Sequence, residues 1–446
     1  MSFSAYPDYK DSGIDWLGHF PEGWSIKPLW ALFRRHKLTG FPDEQLLSVY
    51  RDYGVIPKAS RDDNFNKPSD DLGAYQLVQV GDLAINKMKA WQGSVGISSY
   101  KGIVSPAYHV YAPSHSEAPQ YLHYLFRCNE YIAGYLANSK GIRVNQWDLE
   151  PQQHSRMSVL LPSCQEQTQI ARFLDHETAC IDALIEEQQR LIELLKEKRQ
   201  AVISHVVTKG LNPMVPMKDS GVEWLGEVPA HWNVSRLKYH STRIGDGLHS
   251  TPEYDDAGDY FFINGNNLVG GAITISPTTR QVNRQEFLKH RVLLDSSTVL
   301  ISINGTIGNL ALYSGEPVIL GKSAAYINCT ESLSPRFCLY LFSSEQIKRF
   351  FENQLTGTTI YNLSLRTIAE IPTPLPSIDE QNSIVEFLNR NVDGFDELID
   401  NAMKLAQLLQ ERRSALISAA VTGKIDVRGW QPPASVPTPE LVQEAV

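Results

Sequence analysis

Cysteine is scarce in this chain, and so are the features that mark a secreted or membrane-embedded protein. The 446 residues include five cysteines, none in a Cys-x-x-Cys pair, which argues against a disulfide framework or a zinc site. No apolar run approaches the length of a membrane span. The opening residues Met1–Asp8 are polar, without the basic flank and apolar core of a secretory signal. We therefore expect a cytoplasmic protein with reduced thiols.

Motifs of known catalytic chemistry are also missing. Gly315–Ser323 resembles a phosphate-binding loop, but five residues separate its glycines where four are needed. His176-Glu177 lacks the second histidine of a zinc protease. Neither a Gly-x-Ser-x-Gly elbow, a Gly-x-Gly-x-x-Gly loop nor the Asn/Asp-Pro-Pro-Tyr/Phe motif of amino-methyltransferases occurs. The sequence therefore predicts a protein that is not an enzyme.

The formal net charge of −9 speaks against nucleic acid as a partner, but the charge is unevenly distributed. Residues 25–160 hold 15 Lys and Arg against 12 Asp and Glu, and residues 233–372 hold 12 of each. The acidic excess lies outside these two segments. A basic face in either segment is compatible with an acidic exterior elsewhere.

What the chain does contain is a long repeat. Leu161–Gly210 returns as Leu375–Lys424, displaced by 214 positions, so that the Leu-Pro-x-x-x-Glu-Gln start occurs twice. A period of about half the chain indicates duplication of a whole domain, not a solenoid. The repeat aligns the following pairs: Glu166 with Glu380, Gln167 with Gln381, Phe173 with Phe387, Asp182 with Asp396, Leu195 with Leu409 and Arg199 with Arg413.

Each copy has the pattern of a helix that begins with a capping box, Ser163 with Glu166 and Ser377 with Glu380. Apolar residues then recur in steps of three and four, as in a coiled-coil seam. About 35 residues of helix span roughly 50 Å. A single such helix would be expected to pack on a globular core, but two matched copies favour pairing of each helix with the other. The predicted seam and partner surface comprises Glu166, Gln167, Phe173, Leu184, Leu191, Leu195, Glu380, Gln381, Phe387, Leu398, Leu405 and Leu409.

A shorter repeat precedes each half of the chain. Lys10–Gly18 returns as Lys218–Gly226, so that Trp16 recurs as Trp224. Just beyond each copy, Trp24 recurs as Trp232. We expect these tryptophans to anchor the segments against a neighbouring surface, with base stacking as the alternative.

Two segments with similar plans and different sequences lie between the short and long repeats. Both contain several β-like runs, among them Tyr108–Ala112 in the first and Ala324–Asn328 in the second. Each also has one helix-like stretch, Pro119–Asn138 or Pro335–Leu355, followed by a polar turn, 139–145 or 356–362. Gly93–Gly96 and Gly305–Gly308 are expected to be tight turns between strands. The predicted fold class is α+β or mixed, with two α/β domains separated by two long antiparallel helices related by an internal pseudo-twofold axis. The predicted division is 1–24 short repeat, 25–160 first domain, 161–210 central helix, 211–232 linker and second short repeat, 233–372 second domain, 373–427 C-terminal helix and 428–446 disordered tail.

The doubled helix start, the paired Trp-Leu-Gly segments (Trp16–Gly18, Trp224–Gly226) and the two unlike domains together resemble a type I restriction-modification specificity subunit. The resemblance extends from about Lys10 to Lys424. It implies that each variable domain is a target recognition domain for one half of a bipartite, asymmetric sequence in double-stranded DNA. It also implies that the helices form the spacer and dock two modification (methyltransferase) subunits, with restriction subunits completing the complex. S-adenosylmethionine, ATP and Mg²⁺ would then be bound by those partners, and this chain would bind no cofactor or metal.

Candidate DNA contacts are polar and basic residues near Gly-rich turns, where the backbone can approach a groove. Asn and Gln can pair with adenine, and Arg and Lys with guanine or phosphate. The first-domain candidates are Lys87, Lys89, Gln92, Lys140, Arg143, Asn145 and Gln146, with Arg51 and Lys58 as phosphate contacts. The second-domain candidates are His249, Asn264, Asn266, Asn304, Thr306, Lys322, Thr358, Thr359, Tyr361 and Asn362.

Two other functions remain open at this point. A coiled-coil adaptor that binds only proteins would suit the acidic balance, but it would leave two divergent domains without a purpose. An enzyme with unfamiliar chemistry would require methyl transfer, or another reaction, by the purified chain alone.

Overall fold

The computed structural model describes residues 3–51, 53–61, 68–69, 71–143, 146–354 and 361–433, except the side chains of residues 142, 143 and 146. These residues form two compact units. The first comprises Met1–Gln188 with Lys404–Val446, and the second comprises Gln189–Met403. Each unit contains one mixed α/β domain and one half of each long helix.

The first unit begins with a short hairpin and then alternates strands with short helices. Its strands are β1 (Tyr9–Asp11), β2 (His19–Pro21), β3 (Ser25–Pro28), β4 (Phe33–His36), β5 (Leu47–Tyr50), β6 (Gly54–Pro57), β7 (Gln76–Val78), β8 (Leu83–Asn86), β9 (Val95–Ile97), β10 (Gly102–Val104), β11 (Tyr108–Pro113), β12 (Ser139–Arg143), β13 (Gln146–Leu149) and β14 (Ser158–Leu161). Its helices are α1 (Pro119–Arg127), α2 (Asn129–Ala137), α3 (Pro151–Arg156) and the first half of α4 (Cys164–Lys209).

The second unit repeats this plan with insertions. Its strands are β15 (Met217–Asp219), β16 (Glu227–Pro229), β17 (Asn233–Arg236), β18 (Ser241–Asp246), β19 (Tyr260–Ile263), β20 (Leu268–Val269), β21 (Ala272–Ile273), β22 (Gln281–Val282), β23 (Thr298–Ser302), β24 (Leu310–Leu312), β25 (Val318–Leu320), β26 (Ala324–Cys329) and β27 (Pro372–Leu375). Its helices are α5 (Arg284–His290), α6 (Pro335–Ser343), α7 (Glu345–Gln354), α8 (Leu365–Ala369) and the first half of α9 (Ile378–Val421).

Both domains are built on the same antiparallel four-stranded sheet. The strand order is β4-β11-β8-β9 in the first unit and β18-β26-β23-β24 in the second. The strands between β18 and β26 include a sheet, β22-β19-β25, in which β19 and β25 are parallel. The duplication predicted from the repeats is therefore present in the domains as well, although their sequences differ.

The helix-like stretch after each sheet is broken, contrary to the prediction of one helix. Cys128 separates α1 from α2, and Ser344 separates α6 from α7, both with extended backbone. At each break the first N–H of the new helix donates to a serine of a long helix. Asn129 N donates to Ser418 Oγ at 3.3 Å, and Glu345 N donates to Ser204 Oγ at 2.9 Å. The break is thus set by a tertiary contact.

The predicted polar turn at 139–145 is also different in the structure. Ser139–Arg143 forms β12, which pairs antiparallel with β13. The corresponding stretch of the second domain lies outside the described residues as far as position 360.

The long helices begin where the capping boxes predict, but the glutamates act differently. Ser163 Oγ accepts from Glu166 N, and Ser377 Oγ accepts from Glu380 N, both at 3.3 Å. The Glu166 carboxylate accepts from the Trp24 indole at 3.0 Å, and the Glu380 carboxylate accepts from the Trp232 indole at 3.1 Å. Each glutamate therefore fixes a tryptophan of the short repeat to the long helix.

The anchoring role predicted for the tryptophans is confirmed. Trp24 and Trp232 are buried in the cores of their respective units. Trp16 packs edge-on against Tyr131 with ring centroids 5.2 Å apart, and Trp224 lies against Phe350 at 5.3 Å.

Within each unit the two long helices pack antiparallel and are joined by an ion pair. In the first unit Arg413 Nε donates to Asp182 Oδ1 at 2.7 Å and Nη2 to Oδ2 at 3.0 Å. In the second unit Arg199 Nη2 donates to Asp396 Oδ2 at 3.2 Å. The sequence repeat aligned these four residues with their equivalents, and the structure pairs each arginine with the aspartate of the other helix.

The predicted seam is displaced around both helices. Leu184, Leu191, Leu398 and Leu405 are 47%, 42%, 53% and 44% exposed, so these leucines do not form the seam. Ile181 and Ile185 are buried in the first unit, and Ile399 and Ala402 in the second. Two of these positions, Ile185 and Ile399, lie one residue beyond the predicted leucines. A straight α-helix has 3.6 residues per turn, so a hydrophobic pattern that repeats every seven residues gradually moves away from the contact face.

The other residues predicted for the seam make contacts inside their own units. Gln167 and Gln381 are fully buried, and each holds the start of a helix: Gln167 Oε1 accepts from Ala118 N at 2.9 Å, and Gln381 Oε1 accepts from Ser334 N at 2.8 Å. Phe173 is buried in the core of the first unit, whereas Phe387 is half-buried in the second. Leu195 and Leu409 are half-buried.

Candidate nucleic-acid interface

Several first-domain candidates meet at the end of the β8–β9 hairpin. The loop from Asn86 to Gly93 lies beside β13, because Leu149 N donates to Lys87 O at 3.0 Å. The Lys87 ammonium lies 3.2 Å from the Asp148 carboxylate. Trp91 and Trp147 close the junction edge to face, with centroids 4.7 Å apart. No pattern in the sequence predicts this junction, which brings together residues about 60 positions apart.

Polar groups project from this junction. Lys89 and Gln92 are exposed, and Lys140 is exposed with its ammonium 3.3 Å from Glu150. Arg51 lies close by, since a Cβ at Gly93 would be 3.6 Å from the Arg51 Cγ. Gly93 has a φ of +89°, and such a Cβ would also approach Ile132 Cδ1 to 2.9 Å, so this turn requires glycine. We call Arg51, Lys87, Lys89, Gln92 and Lys140 the first polar cluster.

Lys58, Arg143, Asn145 and Gln146 are the remaining first-domain candidates. Lys58 opens a short 3₁₀ turn after β6 and is half-buried. Arg143 and Gln146 belong to β12 and β13, but their side chains are outside the described set. Asn145 lies outside the described residues.

Second-domain candidates meet at the end of the β23–β24 hairpin. Asn304 pairs with Asn362 in an antiparallel bridge, and Gly305 N donates to Tyr361 O at 3.3 Å. Thr306 is exposed in the same loop. Backbone bonds join neighbouring turns to this loop, because Ile303 N donates to Ser323 O at 2.9 Å.

The turns from the rest of this domain complete the cluster. Lys322 is exposed beside Ser323, whose hydroxyl accepts from Gly265 N at 3.0 Å and thereby brings the exposed Asn266 close. His249 follows Leu248, whose N–H donates to Leu320 O at 2.7 Å. We call the following residues the second polar cluster: His249, Asn266, Asn304, Thr306, Lys322, Tyr361 and Asn362. Thr358 and Thr359 lie outside the described residues.

Two candidates in this region have clear structural bonds. Asn264 caps the short 3₁₀ turn Gly265–Asn267, and its Oδ1 also accepts from Ser323 Oγ at 2.9 Å. The His249 imidazole lies 2.7 Å from the Asp246 carboxylate while remaining exposed. Asn264 therefore shapes the turn, and His249 keeps a free face toward solvent.

The two polar clusters occupy the same place in the duplicated fold. Each lies at the hairpin that joins the last two strands in the sheet order, β8–β9 or β23–β24. The chemistry of the clusters differs, because the first holds four basic residues and the second is rich in amides and hydroxyls. Equivalent placement with different side chains is the arrangement expected of two domains that recognise different targets in the same way.

Histidines behind the first cluster contribute no positive charge at neutral pH. Burial, together with the nearby Arg35 guanidinium, lowers the pKa of His109 to about 4. Burial and His109 lower the pKa of His154 to about 3, and its Nδ1 lies 3.0 Å from the Tyr111 hydroxyl. The cationic groups of this cluster are therefore lysine and arginine side chains, of which Lys87 and Lys140 are paired with Asp148 and Glu150.

An exposed aromatic group near the first cluster was missed in the sequence. The Arg61 guanidinium lies 4.7 Å from the ring centroid of Tyr53 and 5.2 Å from that of Tyr50. Tyr53 is 55% exposed, so it presents a flat ring to solvent. A Tyr-Arg-Asp-Tyr run at Tyr50–Tyr53 was the available signal, because stacking on single bases requires aromatic rings next to positive charge.

Two negative observations delimit the chemistry. Within the described ranges, no three His, Cys, Asp or Glu side chains come together in a group that could hold a metal ion. None of the described helices is long and apolar enough to cross a membrane.

Two similar mixed α/β domains, each attached to half of an antiparallel helix pair, define an internally duplicated two-domain protein. Residues 231–407 match the family model described as the type I restriction modification DNA specificity domain. A relative named as the MjaX type I restriction enzyme specificity subunit of Methanocaldococcus jannaschii is 23% identical, over 96% of this chain and 99% of the relative.

Solved structures show the same fold. One is a chain from a study of complex assembly and conformational transition of the type I R-M system, with a TM-score of 0.64, 18% identity and coverage of 91% of this chain and 99% of that one. Another is the HsdS subunit of Thermoanaerobacter tengcongensis, with a TM-score of 0.51, 16% identity and coverage of 91% and 98%. Over nearly its whole length the chain is thus similar to a type I restriction enzyme specificity subunit, and residues 231–407 match the DNA specificity domain of that class.

Proposed function

We propose that each domain reads one half of a bipartite, asymmetric target in double-stranded DNA, using the polar cluster at the end of its β8–β9 or β23–β24 hairpin. The observation that carries this proposal is the equivalence of the two clusters in the sheet order. Lysine and arginine would neutralise phosphates, and the amides and hydroxyls would contact base edges. In this proposal the chain supplies recognition and no catalysis.

Exposed leucines on the long helices support a docking role toward the modification subunits. The first unit carries Leu184, Leu405 and Leu408, and the second unit carries the repeat-equivalent residues Leu398, Leu191 and Leu194, all exposed. Exposed apolar side chains at repeated positions are typical of interaction surfaces. Because each unit carries the same set, two identical partner subunits would meet equivalent surfaces. The motor and nuclease subunits would join the complex that the chain forms with its modification subunits.

The reading of half-sites can be tested by mapping methylated adenines in cells that contain the modification subunits and this chain. Replacing Asn266 and Thr306 by Ala should relax the bases at one end of the methylated motif and leave the other end unchanged. Lys289→Ala is the matched control, because Lys289 is exposed in the same domain but pairs with Glu286. A change at both ends, or at neither end, contradicts the assignment of the second cluster.

The docking surface can be tested separately. Leu191→Asp combined with Leu405→Asp should abolish co-purification with the modification subunits, whereas Leu288→Asp, an exposed leucine of α5, should have no effect. If the double variant still assembles, the leucines are not the docking surface.

A protein-only adaptor is the alternative function; the net charge of −9 favours it, whereas the matches to DNA specificity subunits speak against it. Titration of a duplex containing the mapped motif with the chain and its modification subunits separates the two. An adaptor would leave the duplex unbound, or bound with no preference for the motif.

A further inference from the structure

An open apolar groove lies beside the C-terminal end of α4 in the second unit. It encloses about 1000 Å³ and is lined by Val202, Val206, Leu211, Met217 and Phe387, among others. Leu211 and Met217 are about 40% and 37% exposed, so apolar surface faces solvent along its length. A continuous exposed apolar surface of this kind is typical of an interaction site.

The first unit contains the same groove in a filled form. The repeat places Phe173 at the position of Phe387, and Leu416 and Ala420 at those of Val202 and Val206. In the first unit Phe3 packs edge-on against Phe173 with centroids 5.1 Å apart, and Trp430 also packs edge-on against Phe173 at 5.3 Å. Leu416 and Ala420 belong to the same cluster of packed side chains. Residues 428–430, which the sequence assigned to a disordered tail, are thus part of the packed chain.

Hydrogen bonds hold the aromatic occupant in place. Gln169 Nε2 donates to Val427 O at 3.1 Å and to Trp430 O at 2.5 Å, and the His176 ring lies 5.3 Å from Trp430. The first unit therefore shows what this groove accommodates: a large aromatic side chain on a short segment that runs along the helix pair. In the second unit, the chain after α4 continues directly through Leu211–Met217 and supplies no aromatic residue.

The charges around the open groove favour an occupant whose flanking residues differ from those of the Trp430 segment. Lys198, His205 and Lys209 line it, with Glu227 as the acidic residue. Arg390 is exposed at the position equivalent to His176, three residues beyond Phe387. An arginine at this position can stack on an aromatic ring and also attract a carboxylate.

We propose that the groove formed by Val202, Val206, Leu211 and Phe387 takes an aromatic side chain from a protein partner, on a segment in which acidic residues flank the aromatic one. A second copy of this chain is a poorer fit, because its own Trp430 segment carries Lys424 and Arg428 against a single acidic residue, Asp426, and is therefore not acidic. The proposal does not rest on DNA reading or on the leucine surface.

The test uses the full chain and a fluorescein-labelled ten-residue peptide with a central Gly-Trp flanked on both sides by Asp and Glu. Fluorescence anisotropy should show saturable binding, weakened at least tenfold when the peptide Trp is replaced by Ala. Ala201→Trp should fill the groove and abolish binding, since Ala201 is exposed and lines it. Ala415→Trp, at the equivalent exposed position of the first unit, is the matched control and should bind normally.

Charge is tested with a second pair of variants. Lys198→Glu should weaken binding of the acidic peptide about tenfold, whereas Arg412→Glu, at the equivalent position of the first unit, should not. Absence of saturable binding, or binding unaffected by Ala201→Trp, overturns the proposal. Tighter binding of a peptide copying residues 424–433, together with concentration-dependent dimers in sedimentation, would overturn it in favour of a second copy as the occupant.

Discussion

Arg413 of α9 and Asp182 of α4 form a bidentate ion pair, with hydrogen bonds of 2.7 and 3.0 Å. The repeat-equivalent pair, Arg199 and Asp396, has one hydrogen bond of 3.2 Å, and its Nε lies 2.9 Å from Oδ1. Both pairs join α4 to α9, but α4 supplies the aspartate of the first pair and the arginine of the second. A duplicated helix thus contributes a basic residue to one contact and an acidic residue to the other, which makes the antiparallel pairing self-complementary.

The difference between these ion pairs is measurable. In a double-mutant cycle with Asp182→Asn and Arg413→Gln, we expect a coupling free energy of up to about 1 kcal/mol, because the side chains are partly exposed. The Arg199–Asp396 cycle should give a smaller value, because its geometry is less favourable. Urea denaturation followed by circular dichroism supplies both numbers. Equal coupling in the two cycles would show that bidentate geometry is not what distinguishes them.

The bonds from tryptophan to glutamate should matter more for stability. Glu166→Ala leaves the Trp24 indole and the Tyr6 hydroxyl, which donates to Glu166 at 2.6 Å, without their acceptor. We expect the free energy of unfolding to fall by about 1–3 kcal/mol. Glu380→Ala should act similarly through Trp232. Glu186→Ala, at an exposed position of α4, should change it by less than about 0.5 kcal/mol. Thermal and urea unfolding monitored by tryptophan fluorescence test the series.

A phosphate contact from the second polar cluster should appear as a change in salt dependence. If Lys322 neutralises one phosphate, Lys322→Ala should reduce the slope of log K against log salt concentration by about 0.9. The affinity for the target should fall, while the methylated motif stays the same. Lys289→Ala should keep the original slope, since Lys289 is occupied by Glu286. An unchanged slope in Lys322→Ala removes Lys322 from the interface.

Acid should destabilise the first unit through its buried histidines. The pKa values of His109 and His154 are lowered to about 4 and about 3 in the folded chain, so the unfolded chain binds more protons below its ordinary histidine pKa near 6.5. Stability is therefore complete above about pH 6.5 and decreases as the pH falls from there toward 4. His154→Gln, which retains a hydrogen-bonding group near Tyr111, should make this dependence shallower. Urea midpoints at pH 7, 6, 5 and 4 provide the comparison, and parallel curves for both proteins would contradict it.

The spacing of the two half-sites should follow the length of the repeated helices. Inserting four residues after both Leu191 and Leu405 adds about one helical turn, roughly 6 Å, to each helix. We expect the unread spacer of the methylated motif to lengthen by one or two base pairs, with both half-sites retained. Four-residue insertions in the Leu211–Met217 linker serve as the control and should leave the spacer unchanged. A constant spacer in the helix variant would exclude the helices as the ruler.

Local patterns in the sequence predicted much of the secondary structure. The expected strand Tyr108–Ala112 is observed as Tyr108–Pro113, and the expected Ala324–Asn328 is observed as Ala324–Cys329. The starts of both long helices also agree, because a serine cap acts on backbone groups only three residues away. For the predicted DNA contacts, the sequence provides only the residue types and their proximity to turns. Their assembly into clusters depends on bonds such as Ile303 to Ser323, which join distant segments.

The sequence by itself determined the duplication and the two tryptophan anchors, since a repeat is visible without coordinates. It also determined that the two domains share one plan although their sequences differ. The tertiary structure decided which face of each helix is buried, where α1 and α2 separate, and that Arg413 meets Asp182. It also decided that one apolar groove is filled by Phe3 and Trp430 while its counterpart stays open. The physical reason is that burial and ion pairing depend on which surfaces approach each other, and helical periodicity alone leaves that choice uncertain by about one residue.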